Sequence, residues 1–204
     1  METTADTSSE QSAQQPHPIR LVVNDDLQRN RLTVFFRLIL AIPLILWAVL
    51  WGAITVLAWI VNWFATLFMG RSPDGLHNFL ASFLRYSTRV SAYVFLLADP
   101  WPPFSGQQGG YAIDVRTDPP QEQSRLTIGF RVILAIPALI LSQVFRYVNQ
   151  IVAFLGWFYA LATGRMNEGM RNISAWLLRY EVQTYAYVML LTQRYPSLAG
   201  APTP

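Results

Sequence analysis

The stretch RLTVFFRLILAIP, Arg31 to Pro43, occurs a second time as RLTIGFRVILAIP, Arg125 to Pro137. The two copies are 94 residues apart, and this displacement holds without a gap as far as Pro102. From Arg31 to Pro102, 27 of 72 positions are identical to their counterparts, whereas composition alone gives about one match in ten. The chain is therefore an internal duplication, and each repeat is about the size of a minimal folding unit.

A long apolar helix follows the start of each repeat. In the first repeat no charged residue occurs among the 33 residues from Leu38 to Gly70. A helix of this length measures about 50 Å, against about 30 Å for the hydrocarbon core of a bilayer. Pro43 and Pro137 each remove a backbone hydrogen bond and predict a kink. The pattern indicates an integral membrane protein with one Pro-kinked apolar helix in each repeat.

Shorter elements surround the long helices. Residues alternate with the period of a half-buried strand from Tyr111 to Thr117, and Ile19 to Val23 is compatible with a second strand. A lone hairpin-sized sheet is marginal in water, so we expect these two strands to pair with each other or to lie on the membrane-facing part of the fold. Gly70 and Gly164 predict turns that end the long helices. A polar stripe then predicts an amphipathic helix in each repeat.

The predicted fold is mainly helical, with about four membrane-embedded helices and a small two-stranded sheet on one face. We expect a disordered polar tail at 1–16, repeat 1 at 17–104, a linker at 105–110, repeat 2 at 111–198 and a C-terminal tail at 199–204. Two helices per repeat return the chain to its starting side, which predicts that the termini and the linker share one side of the membrane and that the two Gly-Arg turns lie on the other. An excess of Arg near the chain ends places the termini in the cytoplasm.

Motifs for enzymatic chemistry are scarce. The sequence has no cysteine, and His77 has Arg171 as its counterpart, so no histidine pair is duplicated. Asp74 and Glu168 fit either a carboxylate pair or acidic residues in the first turn of a helix, and we favour the second interpretation. We therefore expect a non-enzymatic protein without a cofactor or metal. A net charge of +3 gives no argument for nucleic acid.

Arginine is the unusual residue, because it supplies all 15 basic side chains. Phosphate recognition explains this, but we prefer codon bias in a GC-rich genome, which replaces Lys by Arg everywhere. Arginine inside apolar helices extends to the head groups, bonds to backbone carbonyls or binds an anion. Under the last interpretation the candidate contacts for lipid phosphate or another anion are Arg37, Arg85, Arg89, Arg131 and Arg179.

The combined motifs R-L-T-x-x-x-R-x-I-L-A-I-P, G-R-x-x-D/E-G, L-R-Y and A-Y-V-x-L-L resemble the bacterial membrane proteins catalogued as domain of unknown function 4389. The resemblance covers both repeats, from Pro18 to Pro196. It implies an integral protein of the bacterial plasma membrane. It carries over no activity and no residue role.

Two hypotheses for function remain open. The first is a membrane scaffold or accessory subunit whose strand edges recruit a protein partner or a second copy of the chain. The second is a binder or transporter of anionic lipid or another anion, which uses the intramembrane arginines.

Overall fold

The structure, a computed structural model, describes residues 17–199. The predicted tail at 1–16 lies outside this range, as does all but the first residue of the predicted tail at 199–204. The prediction of a mainly helical chain with a small sheet is confirmed. In chain order the elements are β1 (Ile19–Val23), α1 (Arg31–Met69), α2 (Asp74–Val94), β2 (Ile113–Thr117), α3 (Arg125–Thr163) and α4 (Glu168–Val188).

The ends of α1 follow from local sequence. Asn30 is the N-cap, and its side chain accepts a hydrogen bond from the backbone N–H of Leu32 at 3.0 Å. Gly70 ends the helix at a φ of 79°, a left-handed conformation that glycine adopts without a Cβ clash. Neither Pro43 nor its counterpart Pro137 ends its helix. The kinks stay a prediction.

The two strands pair in antiparallel fashion, which confirms the predicted pairing. Leu21 lies opposite Val115 at the centre of the ladder, and these residues are counterparts in the two repeats. A pseudo-two-fold axis therefore passes through this pair and exchanges the repeats. The long helices obey the same symmetry: the Trp63 indole donates to the carbonyl of Ile128 at 3.0 Å, and the counterpart bond from Trp157 measures 2.9 Å.

This symmetry makes α1 and α3 antiparallel. The backbone N–H of Gln123, just before α3, donates to the carbonyl of Gly70 at the end of α1 at 2.8 Å. The counterpart bond runs from Arg29 to Gly164 at 3.0 Å. Each Gly-Arg turn thus lies beside the start of the other repeat's long helix. The two turns therefore occupy opposite ends of the helix pair, and the side of the membrane that each turn faces stays a prediction.

The turns lie at opposite ends because the segment between α2 and α3 runs along the length of α1 once more, and a count of helices omits this segment. After α2 the chain is at the start of α1, where Arg37 donates to the carbonyl of Ala98 at 3.0 Å. At Gln123 the chain lies beside the end of α1 again. An irregular linker with bends and the strand β2 cover this distance alongside α2.

Helices α2 and α4 form the middle of three layers. Helix α1 packs on α2 and α3 packs on α4, whereas β2 packs on the other side of α2 and β1 on the other side of α4. The main core joins both repeats and includes Leu21, Leu84, Ile113 and Leu178. Only α1 and α3, among the elements of 17–199, are long and apolar enough to cross a membrane.

Candidate functional site

The surface of α1 and α3 is apolar over most of its circumference. Of the 39 large hydrophobic side chains exposed within residues 17–199, 34 belong to these two helices. Helix α1 buries only one stripe, with the three- and four-residue spacing of a single helix face. Its buried members are Val34, Arg37, Ala41, Leu44, Thr55, Asn62 and Thr66. The two long helices therefore form one extended apolar face, which is the main candidate site on the molecule.

The opposite side of the molecule is charged. Arg20 and Arg116 face each other across the two strands, and both are exposed. Arg20 lies 3.6 Å from a carboxylate oxygen of Asp118 in a solvent-exposed ion pair. The sheet thus presents charge to the surroundings on the side away from α1 and α3.

The charged sheet lies beside the middle of the long helices, not beside an end. The Arg85 guanidinium, near the middle of α2, donates to the carbonyl of Val115 at the sheet centre at 2.9 Å. The next residue, Tyr86, stacks on Trp51 near the middle of α1, with ring centroids 5.4 Å apart. The pseudo-two-fold axis requires the same placement, because it runs through the sheet centre and is equidistant from both ends of the helix pair.

Arg37 and Arg131 cap the C-terminal ends of α2 and α4. Arg37 Nη1 donates to the carbonyls of Tyr93 at 2.7 Å and Ala98 at 3.0 Å, and its guanidinium lies 4.5 Å from the Tyr93 ring centre. Arg131 makes the counterpart contacts, including one of 3.0 Å to the carbonyl of Tyr187. The Tyr93 carbonyl also accepts a bond of 3.2 Å from the backbone N–H of Leu96, and Ala98 lies just beyond the helix, so Arg37 joins the end of α2 to the segment that follows it.

The third partner differs between the two arginines. Arg37 Nη2 forms an ion pair of 2.6 Å with Asp99, whose side chain is 24% exposed. Arg131 Nη2 donates instead to the neutral side-chain amide of Gln123. Both arginines therefore bind counterpart carbonyls, but the third acceptor is a carboxylate for Arg37 and an amide oxygen for Arg131.

The remaining candidate arginines, which lie in the middle layer, form hydrogen bonds to the linker, to β2 and to the C-terminal segment. Arg89 Nη2 donates to Asp114 at 2.9 Å and to the carbonyl of Gln107 at 2.6 Å. Arg179 donates to the carbonyl of Ala199 at 2.8 Å. Burial lowers the pKa of Arg179 and of Arg85 below the ordinary arginine value. All of these contacts are internal to the protein.

The predicted site is therefore not one cavity. Arg85 bonds to the strand β2 and Arg179 to the C-terminal segment, so the two arginines do not converge. Each of the five candidate guanidinium groups donates to carbonyl, carboxylate, hydroxyl or amide oxygens of this chain. Anion contact at these residues stays a prediction.

Sequence reasoning missed the carboxylate partners. Asp99 and Asp114 pair with Arg37 and Arg89 across more than twenty residues of chain. Both acids lie outside the helices, where i to i+4 spacing gives no information. The only signal was their position at the two ends of the connector between the repeats.

An ion pair between Arg146 and Glu181 breaks the symmetry at the centre of the molecule. The counterparts are Gly52 and Ser87, which carry no charge. Burial raises the pKa of the Glu181 carboxyl group, and the nearby Arg146 opposes that rise. This pair therefore gives the two halves of an otherwise repeated layer different electrostatics.

Side chains of the protein occupy part of both strand edges. Arg85 bonds to the outer carbonyl of Val115, and the Gln183 amide bonds to the carbonyl of Ile19 at 3.3 Å. Recruitment of a partner strand at these edges stays a prediction.

Comparisons with known proteins give a family. No curated protein and no solved structure matches the chain. A family model described as Domain of unknown function (DUF4389) matches residues 31–106 and again residues 125–199, one match for each repeat. The chain belongs to the DUF4389 family and contains two tandem copies of its domain.

Proposed function

We propose that this protein is a non-enzymatic membrane scaffold that lies in one leaflet of the bacterial plasma membrane. In this arrangement α1 and α3 run parallel to the membrane plane within the hydrocarbon. The middle layer and the sheet project into the cytoplasm as a platform for a partner. The observation that carries the proposal is the charged sheet beside the middle of the apolar helix pair.

Helix length argues against an upright arrangement. Helices α1 and α3 have 39 residues each, so each measures about 58 Å when straight. A hydrocarbon core of about 30 Å accommodates that length only at a tilt of about 60°, and observed transmembrane helices tilt by about 0–40°. A helix that lies in the plane has no such limit.

The charged sheet gives the second argument. If α1 and α3 stood upright, Arg20 and Arg116 would be at the depth of the bilayer centre. An arginine there costs about 2.5–3.5 kcal/mol on insertion scales. With the helices in the plane, both side chains and Asp118 stay in water. The in-plane arrangement is therefore favoured by about 5–7 kcal/mol for these two arginines alone.

Basic residues at the rim of the apolar face fit the same arrangement. Arg31 and Arg165 are exposed at one end of the helix pair, and Arg71 and Arg125 are exposed at the other. Each is at the border between the apolar helices and the polar turns, where a guanidinium reaches lipid phosphates. An in-plane protein presents both ends to the head groups of the same leaflet.

Site-directed labelling tests the orientation directly. The chain has no cysteine, so each introduced cysteine is unique. Arg71→Cys and Arg165→Cys are symmetry counterparts at opposite ends of the helix pair, and Gln107→Cys lies on the linker. We expect a membrane-impermeant thiol reagent to label all three from the cytoplasmic side in inverted vesicles and none from outside in intact cells. Ile54→Cys, on the exposed face of α1, serves as the unlabelled control.

Two other patterns have distinct meanings. If Arg71→Cys and Arg165→Cys label from opposite sides, the long helices cross the bilayer antiparallel and the in-plane proposal is wrong. If these two label together but opposite to Gln107→Cys, the helices cross with both turns on one side, which also contradicts it.

A further inference from the structure

One exchange between the repeats removes a large side chain. In α1 the Trp59 indole donates to the carbonyl of Val188 at 2.8 Å, and the Asn62 amide donates to the next carbonyl, that of Met189, at 3.3 Å. The counterparts in α3 are Ala153 and Gly156. Neither carries a side-chain donor, so the second long helix cannot repeat these bonds.

A cavity of about 320 Å³ lies where the missing indole would be. Its lining includes Ala153 itself, together with Val94 and Phe95, which are the counterparts of Val188 and Met189. Two polar side chains, Arg37 and Gln150, also line it. The symmetry of the fold thus shows how the cavity arises. The same space in the other half is filled by Trp59, and here it is open.

The lining defines the chemistry of an occupant. Leu38 and Phe154 form walls that are 71% and 62% exposed, so the cavity opens onto the apolar face of α1 and α3. By symmetry with Val188, the carbonyl of Val94 points toward the space that an indole would occupy. The space that corresponds to the Asn62 amide is not open, because a Cβ at Gly156 would lie 2.9 Å from Met166 Cε. An occupant that suits this site has an apolar chain and a hydrogen-bond donor.

We propose that the cavity binds one glycerophospholipid whose head group carries a hydrogen-bond donor. The acyl chain fills the space between α1 and α3, and a head-group ammonium or hydroxyl donates to the carbonyl of Val94. This carbonyl belongs to the last residue of α2, in the layer nearer to the head groups if the helices lie in the membrane plane. The site rests on the proposed function in one respect, namely that α1 and α3 contact the hydrocarbon.

Head-group chemistry gives the first test. Native mass spectrometry of the purified full chain is performed with equal amounts of phosphatidylethanolamine, phosphatidylglycerol and phosphatidylcholine. The first two offer an ammonium or hydroxyl donor and the choline head group offers none. We expect one retained lipid per chain, with a preference of about tenfold for a donor-bearing head group over choline. The ratio of the first two identifies which donor binds. Equal retention of all three overturns the proposal.

Reciprocal exchange of the symmetry-related residues gives the second test. Ala153→Trp fills the cavity as Trp59 fills its counterpart, and we expect loss of the retained lipid with a thermal midpoint no lower than that of the parent. Trp59→Ala opens the second cavity, and we expect a second retained lipid. Unchanged retention in a folded Ala153→Trp protein overturns the site. If that variant does not fold, Ala153→Leu takes its place with the same expected loss.

Cysteine labelling separates this inference from the proposed function. Same-side labelling with unchanged lipid retention in Ala153→Trp refutes the lipid site and leaves the orientation intact. Opposite-side labelling with lost retention refutes the in-plane orientation and supports the lipid site.

Discussion

Arg37 and Arg131 provide a matched pair for measuring what an arginine cap contributes to stability. Both donate to two carbonyls at the end of a middle-layer helix, with distances between 2.6 and 3.0 Å. They differ in the third partner, which is the carboxylate of Asp99 for Arg37 and the amide of Gln123 for Arg131. The perturbation is Arg→Met at each position, because methionine keeps the apolar stem and removes every donor.

The loss of the carbonyl contacts lowers stability by a similar amount in both variants. Hydrogen bonds from a charged donor contribute about 1.5–3 kcal/mol each, so we expect the loss of two of them in Arg131→Met to cost about 3–6 kcal/mol. Arg37→Met also leaves the Asp99 carboxylate without its ion pair. Because Asp99 is partly exposed, this adds about 1–2 kcal/mol, less than a fully buried pair. The difference corresponds to about 2–8 °C in thermal midpoint for a protein of this size.

The assay is thermal unfolding in a mild detergent, followed by tryptophan fluorescence. Arg37→Met should melt below Arg131→Met, and adding Asp99→Asn to Arg37→Met should recover most of the difference. Equal midpoints for the two single variants, or no recovery in the double variant, would refute the contribution assigned to Asp99. A loss below about 1 kcal/mol in both would show that the carbonyl contacts are not what holds these helix ends.

Two further predictions use matched positions. Gly70→Ala should destabilise the protein by about 1 kcal/mol, because φ at Gly70 is 79°. Gly75→Ala should stabilise it by about 0.5–1 kcal/mol, because Gly75 lies in the first turn of α2 and no atom is within 4 Å of an added Cβ. Thermal melts of the two variants compare these effects directly. Burial lowers the pKa of His77 below 6.5, so the unfolded chain takes up the proton first and stability falls as the pH drops through about 6.5. His77→Asn should flatten this fall in melts from about pH 7 to about pH 5, and His17→Asn serves as its comparison, because burial lowers that pKa as well.

The sequence was sufficient for the elements and their repetition. Apolar periodicity and the Gly-Arg turns identified both long helices, and alternation at Tyr111 to Thr117 identified β2. The arrangement of the repeats was not accessible in the same way. The return from Ala98 to Gln123 lies in a connector rich in proline and glycine, whose composition gives its boundaries but not its direction.

The arginines show why the site was harder to predict than the fold. Their burial could be inferred, because an uncompensated charge in an apolar helix needs a partner. The identity of the partner could not, since the carbonyls that Arg37 binds are 56 and 61 residues away in the chain. Backbone carbonyls are present at every residue, so no pattern of side chains marks which of them will be reached.

Residues that are identical in the two repeats and residues that differ have different structural effects. The identical pairs Arg37 with Arg131 and Trp63 with Trp157 make the same contacts to backbone carbonyls on both sides of the axis. Positions that differ, such as Trp59 with Ala153, produce features that occur once. A fold with two equal halves offers any ligand two equal sites. A cavity beside Ala153 and not beside Trp59 therefore needs the exchange of tryptophan for alanine, and in the proposed lipid site that exchange limits binding to one lipid per chain.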